Sequence, residues 1–256
     1  MTTRKVTRTP DLLANIEHKL YTSPRTVKNN TEGMSWSLPA EELLIGYDWY
    51  LEKYQLINAA PPGSVIIDAG CKTGDWISHV NFLIPKHTKR IGIDPINYNT
   101  MQHHVDYYHE VALDDVNEPT TMTFHLFDEP GCNSLLSKSD HLSMRNVLST
   151  KTVQVQTLES VLLQHVSPAT IIQYAKCDCQ GKDVAAIKSL RSFLPFTKYV
   201  QVELSFSCDQ PFYNEQPSYE EDIETMSELG FEPMFWTEYP NSPLPEGEIL
   251  FKNKNI

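Results

Sequence analysis

The chain has 256 residues, 40% hydrophobic and 21% charged, which is enough apolar mass for one substantial core. Lys+Arg 21 against Asp+Glu 33 leaves a net charge of −12, a field that opposes nonspecific binding to nucleic acid or to an anionic membrane face. No run of about 18 apolar residues is present to insert in a bilayer. The basic Met1–Pro10 start lacks the apolar stretch of a secretory leader, and five cysteines without a C-x-x-C imply reduced thiols and a cytoplasmic protein.

Residues 1–60 read as an N-terminal extension and 61–256 as the main domain. Residues 1–35 are polar, with one short helical stretch at Asp11–Leu20; this arm is a candidate lid or dimer contact, so a homo-oligomer is one expectation. In Pro39–Leu56, Leu43, Leu44, Tyr47, Tyr50, Leu51 and Tyr54 recur at three and four, the spacing of an amphipathic helix. Pro61-Pro62-Gly63 then stops it.

Val65-Ile66-Ile67 is a β-branched run suited to a buried parallel strand, and it ends in Asp68. Gly70 and Gly74 enclose Cys71, Lys72 and Thr73, so the backbone can turn sharply into a helix over Asp75–Phe82 and admit a ligand closely. A second strand, Arg90–Ile93, ends in Asp94, whose carboxylate can accept both hydroxyls of a ribose. The G-x-G-x-x-G of dinucleotide sites is absent. Tyr107–Ala112 reads as a third strand, with Leu113 and Asp114 following where an adenine ring could sit; Asp114 and Asp115 are equally plain turn residues.

Thr121–Phe127 and Val153–Thr157 alternate as strands, and Thr157 caps a helix to His165. Thr170–Cys179 is the fourth main strand, followed by a helix over Val184–Phe193 and a fifth strand, Tyr199–Leu204, that carries Glu203 at its end. An acidic helix, Tyr219–Leu229, closes at Gly230, and Phe231–Glu238 with Glu248–Lys252 suggest a final hairpin. Alternating strands and helices make the class α/β with a mostly parallel sheet.

Five acids stand at strand ends: Asp68, Asp94, Asp114, Asp178 and Glu203. Asp178 is the first candidate for a reaction centre, as a general base or as a ligand, with Glu203, of a Mg²⁺ ion. Both residues have a plainer reading, Asp178 as a helix cap and Glu203 as a partner of Lys176. Lys176 leaves the strand on the same face as Asp178 and needs an ionic partner there. The aromatics Phe206, Phe212, Tyr213 and Trp236 are either pocket walls or core.

The D-x-G-x-x-x-G spacing resembles the S-adenosylmethionine (SAM) loop of Rossmann-like methyltransferases. The order of motifs, VIIDAGCKTG, IGIDP, EVALDD, GCNSLL, AKCDCQGKDVAAIKSL, VQVELSF and FYNEQP, is similar to that of the FkbM-type SAM-dependent methyltransferases over roughly residues 60–252. Lys176-x-Asp178-x-Gln180-Gly181-x-Asp183 is the strongest piece of that resemblance. Lys72 and Asp94 stand where the family usually has Asn and Glu. The resemblance implies a Rossmann-like methyltransferase sandwich, a mostly parallel seven-stranded sheet with a C-terminal antiparallel hairpin. It implies SAM as cofactor, held by Asp68, Gly70, Cys71, Lys72, Gly74, Asp94, Ala112, Leu113, Asp114 and Ser134. Asp178, Lys176 and Glu203 would carry methyl transfer to a hydroxyl of a sugar, glycan or other small molecule. The rivals are a catalytically silent SAM-fold scaffold, a nicotinamide oxidoreductase and a nucleic-acid methyltransferase.

Overall fold

The computed structural model describes residues 53–98, 100, 103–206, 211–239 and 246–256. The N-terminal arm and most of the expected Pro39–Leu56 helix lie outside them; residues 53–58 are helical. The first strand, β1 (Val65–Ala69), is buried at every position, as its β-branched run requires. It leads through the glycine loop into α1 (Asp75–Val80) and then β2 (Lys89–Ile93) and β3 (Tyr107–His109). The short β4 (Ala112–Leu113) and the long β5 (Thr120–Phe127) and β6 (Val147–Gln156) follow. Then come α2 (Leu158–Leu162), β7 (Ile172–Cys177), α3 (Asp183–Lys188), β8 (Thr197–Ser205), α4 (Tyr219–Glu228), β9 (Phe231–Glu238) and β10 (Glu246–Asn253).

The main sheet runs β3-β2-β1-β7-β8-β10-β9. Its first five strands are parallel, and β10 runs antiparallel to both neighbours. This is the expected Rossmann-like methyltransferase sheet with its antiparallel C-terminal hairpin. The helical residue Ile57 and α1 residues Ile77 and Val80 pack with Ile66, Tyr174 and Leu250 on one face. Helices α3 and α4 pack on β7, β8 and β9. Chain order reverses between β1 and β7, so their carboxyl ends open a crevice where ligands of such sheets bind.

Several element boundaries differ from expectation. Tyr107–Ala112 is not one strand: β3 ends at His109, and Ala112 and Leu113 join a separate sheet, β4-β6-β5. The chain crosses between sheets at Glu110 and Val111, which a period-two pattern does not reveal. α1 stops at Val80, before Phe82, which is 75% exposed and buries nothing by continuing the helix. The expected helix to Phe193 breaks after Lys188 and resumes as a 3₁₀ turn, Arg191–Phe196, containing Pro195. Strand β8 runs on to Ser205, so Glu203 sits within it.

The Thr157 cap forms as expected, and the structure adds a second cap not singled out from the sequence. The Thr157 hydroxyl accepts the Ser160 N–H, and Ser218 and Glu221 form a reciprocal capping box on α4.

Gly70 holds the two halves of the sheet together. The Asp178 N–H donates to Ala69 O at 3.0 Å, and the Gly70 N–H donates to Ile93 O at 2.8 Å. A Cβ on Gly70 would lie 1.8 Å from Asp178 O, and its φ of 71° is left-handed. Gly63 has a similar φ of 77° but open space around it. Gly70→Ala should therefore destabilise by at least about 3 kcal/mol in denaturant unfolding. Gly63→Ala should cost only about 1–2 kcal/mol, the backbone penalty alone.

Candidate active site

A cleft of about 490 Å³, measured out to its open mouth, lies over the β1–β7 switch point. Gly70, Lys72, Asp94, Ala112, Leu113, Asp178 and Gln180 line it, with Tyr98, Phe124 and Asn133. Its charged lining residues are two acids, Asp94 and Asp178, and one cation, Lys72.

Asp94 is one of the two acids of the lining. Its Oδ2 accepts the Lys72 N–H at 2.9 Å and its Oδ1 the Ile96 N–H at 2.8 Å. Each oxygen keeps a second lone pair. Tyr108 steadies the same turn, its hydroxyl lying 2.9 Å from Ile96 O. Burial raises the Asp94 carboxyl to about 6, against the pull of the Ile96 and Lys72 N–H groups. The apolar wall beside it is Val111, Ala112, Leu113 and Phe124.

Asp178 is the other acid of the lining. Lys176 Nζ donates to its Oδ2 at 3.1 Å and Gln180 Nε2 to its Oδ1 at 2.8 Å. Burial pushes its pKa up, but Lys176, then Lys72 and the Gln180 amide outweigh it, leaving Asp178 below the usual carboxylate value. The expected Lys176–Asp178 pair is thus formed. Lys176 is itself raised, because Asp178 and Asp68 override its burial.

Lys72 takes a left-handed backbone, φ 44°. In that conformation its N–H donates to Asp94 Oδ2. A Cβ on Gly131 would lie 2.9 Å from Lys72 Nζ, so the ammonium rests against the Pro130–Cys132 turn.

Other expected site residues fall elsewhere. Asp68 is fully buried, outside the cleft lining, with both oxygens lacking a hydrogen-bond partner. Its nearest ion is Lys176 at 3.9 Å, and burial, opposed by Lys176, raises it to about 6. Cys71 is buried and its N–H is spent on Ile93 O. Gly74 caps α1 at φ 83° and likewise stays outside the lining.

Asp114 pairs with Lys182 at 2.9 Å, and its other oxygen accepts the Asp115 N–H; it serves as the turn residue that was its alternative reading. Ser134 is 0% exposed, donates to Gln180 O at 2.6 Å and accepts the Leu136 N–H, so no free hydroxyl reaches the cleft. Phe212 and Tyr213 pack with Phe127, Leu136 and Leu142 as core.

Glu203 meets Asp178 only through Gln180. The Gln180 amide nitrogen donates to both carboxylates, at 2.8 and 2.7 Å. Burial, then the nearby charge of Asp178 and Glu246, pushes Glu203 well above the usual carboxylate range. An amide N–H₂ between two carboxylates repels a cation, so these two residues do not fit the Mg²⁺ site expected of them. Among the described residues, no three of His, Cys, Asp and Glu gather as a metal site.

No family model matches the chain, and no curated protein matches it. Solved structures align with it at low identity. One is fibrillarin from Aeropyrum pernix with bound SAM, at 10% identity, TM-score 0.42, covering 79% of this chain and 74% of that one. Another is magnesium protoporphyrin IX methyltransferase from Synechocystis with bound SAM, at 8% identity, TM-score 0.42, covering 98% and 100%. WbdD aligns at 16% identity and TM-score 0.43 over 80% of this chain and 39% of its own. These scores are too low to bear on activity; the fold class stands on the strand order above.

Asp94 offers a sign-definite test. Its carboxyl titrates near about 6 in the folded chain and near about 3.9 unfolded, so between those values the native state binds more protons. Its contribution to stability therefore grows as pH falls from about 6 to about 4 and is lost as pH rises. Asp94→Asn should remove that share, so urea unfolding of the variant should show less stability gained on acidification than the wild type over the same window.

Proposed function

We propose that the chain is a SAM-dependent methyltransferase acting on a hydroxyl of a sugar, glycan or other small molecule. One observation carries this reading: the cleft at the switch point is lined together by a carboxylate able to take a diol, Asp94, an apolar wall, and a second anion and a cation, Asp178 and Lys72. The three kinds of surface suit the ribose, the adenine and the charged amino-acid end of SAM respectively. The sequence resemblance supports the same cofactor, and the hydroxyl acceptor comes from that resemblance alone.

When bound, SAM supplies an electrophilic methyl on a sulfonium, so transfer requires an aligned nucleophile and a destination for one proton. Asp94 would hold the ribose hydroxyls with the lone pairs left by the Lys72 and Ile96 amides. Leu113 and Ala112 would lie along the adenine. Gly70 lets the loop backbone run close to the ligand, and Lys72 would pair with the methionine carboxylate.

Asp178 would accept a hydrogen bond from the acceptor hydroxyl and orient it. Its lowered pKa makes it a weak base, so it aligns the nucleophile before transfer and takes the proton once the oxygen has become acidic through methylation. Lys176 holds the carboxylate ionised while this happens. Asp68 supports Lys176 from below and does not touch the ligand.

Calorimetric titration with S-adenosylhomocysteine tests the cofactor. Saturable binding is expected, weakened at least about tenfold by Asp94→Ala, equivalent to about 1.4 kcal/mol. Affinity should also fall as pH drops through about 6, where Asp94 gains its proton. Transfer of a tritiated methyl from SAM to a panel of glycans and polyols then tests the reaction. Absence of binding would favour the silent scaffold, for which Lys72 in the glycine loop, on the cleft lining, is the motivating feature.

A further inference from the structure

Gln180 has a backbone that glycine would tolerate far better. Its φ is 51°, left-handed, and Gly181 follows at 88°. A non-glycine residue there costs roughly 1–2 kcal/mol. Such strain persists where surrounding contacts over-determine it, and the contacts here all converge on one side chain and one carbonyl.

The amide nitrogen spends both hydrogens, on Asp178 Oδ1 and Glu203 Oε2. The amide oxygen lies 2.7 Å from the Tyr213 hydroxyl, which sits 2.9 Å from Cys132 O and donates to one of the two at a time. The main-chain carbonyl accepts the Ser134 hydroxyl at 2.6 Å. The orientation follows from Asp178, since the reverse would set the amide oxygen against its carboxylate. Gly181 leaves no room for drift: a Cβ there would sit 3.0 Å from Leu136 and 3.2 Å from Tyr213.

We propose that Gln180 is a positioning residue, held by Tyr213 and Ser134, that aims the Asp178 carboxylate at the reacting centre of the cleft; this rests on the methyltransferase reading. Lys176 and Gln180 take one lone pair from each Asp178 oxygen, from opposite sides. The lone pairs left over are thereby fixed in direction. Lys176 alone would anchor one oxygen and allow the carboxylate to rotate about that contact. Glu203 is the second anchor: it keeps the Gln180 amide from following Asp178. Ser134 and Tyr213 therefore act on the site through Gln180 and touch no ligand.

A carboxylate aimed at a sulfonium favours SAM over S-adenosylhomocysteine, which has a neutral thioether at the same place. The ratio of the two dissociation constants thus reports where the Asp178 charge points, with no acceptor needed. Gln180→Met keeps the length of the side chain and removes the amide. Tyr213→Phe keeps the ring and removes the hydroxyl that fixes the amide.

Calorimetry with both ligands should show the wild type preferring SAM. Gln180→Met should weaken SAM about tenfold while S-adenosylhomocysteine changes less than about threefold, and Tyr213→Phe should move the ratio the same way by less. A merely structural role would weaken both ligands equally or neither, and either result overturns the proposal. If Gln180→Met does not fold, Tyr213→Phe with an unchanged ratio overturns it. A wild type that binds neither ligand overturns the methyltransferase reading and this proposal together, a result distinct from unchanged ratios in a protein that binds both.

Discussion

The tip of β1 touches the tip of β7, and the site depends on that contact. Ala69 accepts the Asp178 N–H, and Gly70 has no side chain because Asp178 O occupies the space a Cβ would need. The two strands are far apart in sequence, so their approach sets where the loop, Asp94 and Asp178 stand relative to one another. The crevice between them is a consequence of strand order, and its chemistry is a consequence of which residues the two tips carry.

Beneath the cleft the sheet buries more acid than base, and the structure offsets this by pairing and by proton uptake. Lys176 lies between Asp68 and Asp178 and keeps the latter ionised. Gln180 takes the place a cation would occupy between Asp178 and Glu203, and Glu203 is driven toward its neutral form. Two carboxylates pushed in opposite directions by their surroundings are a common basis for dividing roles in a site. Here the surroundings lower the pKa of Asp178, which faces the cleft, and raise that of Glu203 behind it.

Several residues singled out in the sequence make their contacts within this frame. Ser134 stood in a motif and turns out to hold the carbonyl of Gln180. Asp114 forms an ion pair with Lys182, and Asp68 lies under the loop. Conversely, Tyr98 and Phe124 line the cleft without any local signal. They arrive from the β2–β3 connection and from the side sheet, whose positions no spacing rule gives. Gln180 could have been noticed as the residue between two acids, but its left-handed backbone, which marks it as more than a linker, is visible only in the fold.

Local physics determined a large part of this protein from sequence alone. The β-branched runs at Val65–Ile67 and Ile171–Ile172, the cap at Thr157, and Gly230 after the acidic helix each state an element through the conformational preferences of a few adjacent residues. Acids at strand ends follow from the same patterning. Which of those acids face one another was decided by tertiary structure, because strand order joins residues that sequence separates by a hundred positions. A carboxylate's role then depends on its partners and its solvent: Asp94 and Asp178 line the cleft, Asp68 is sealed beneath it, and Glu203 is reached only through an amide.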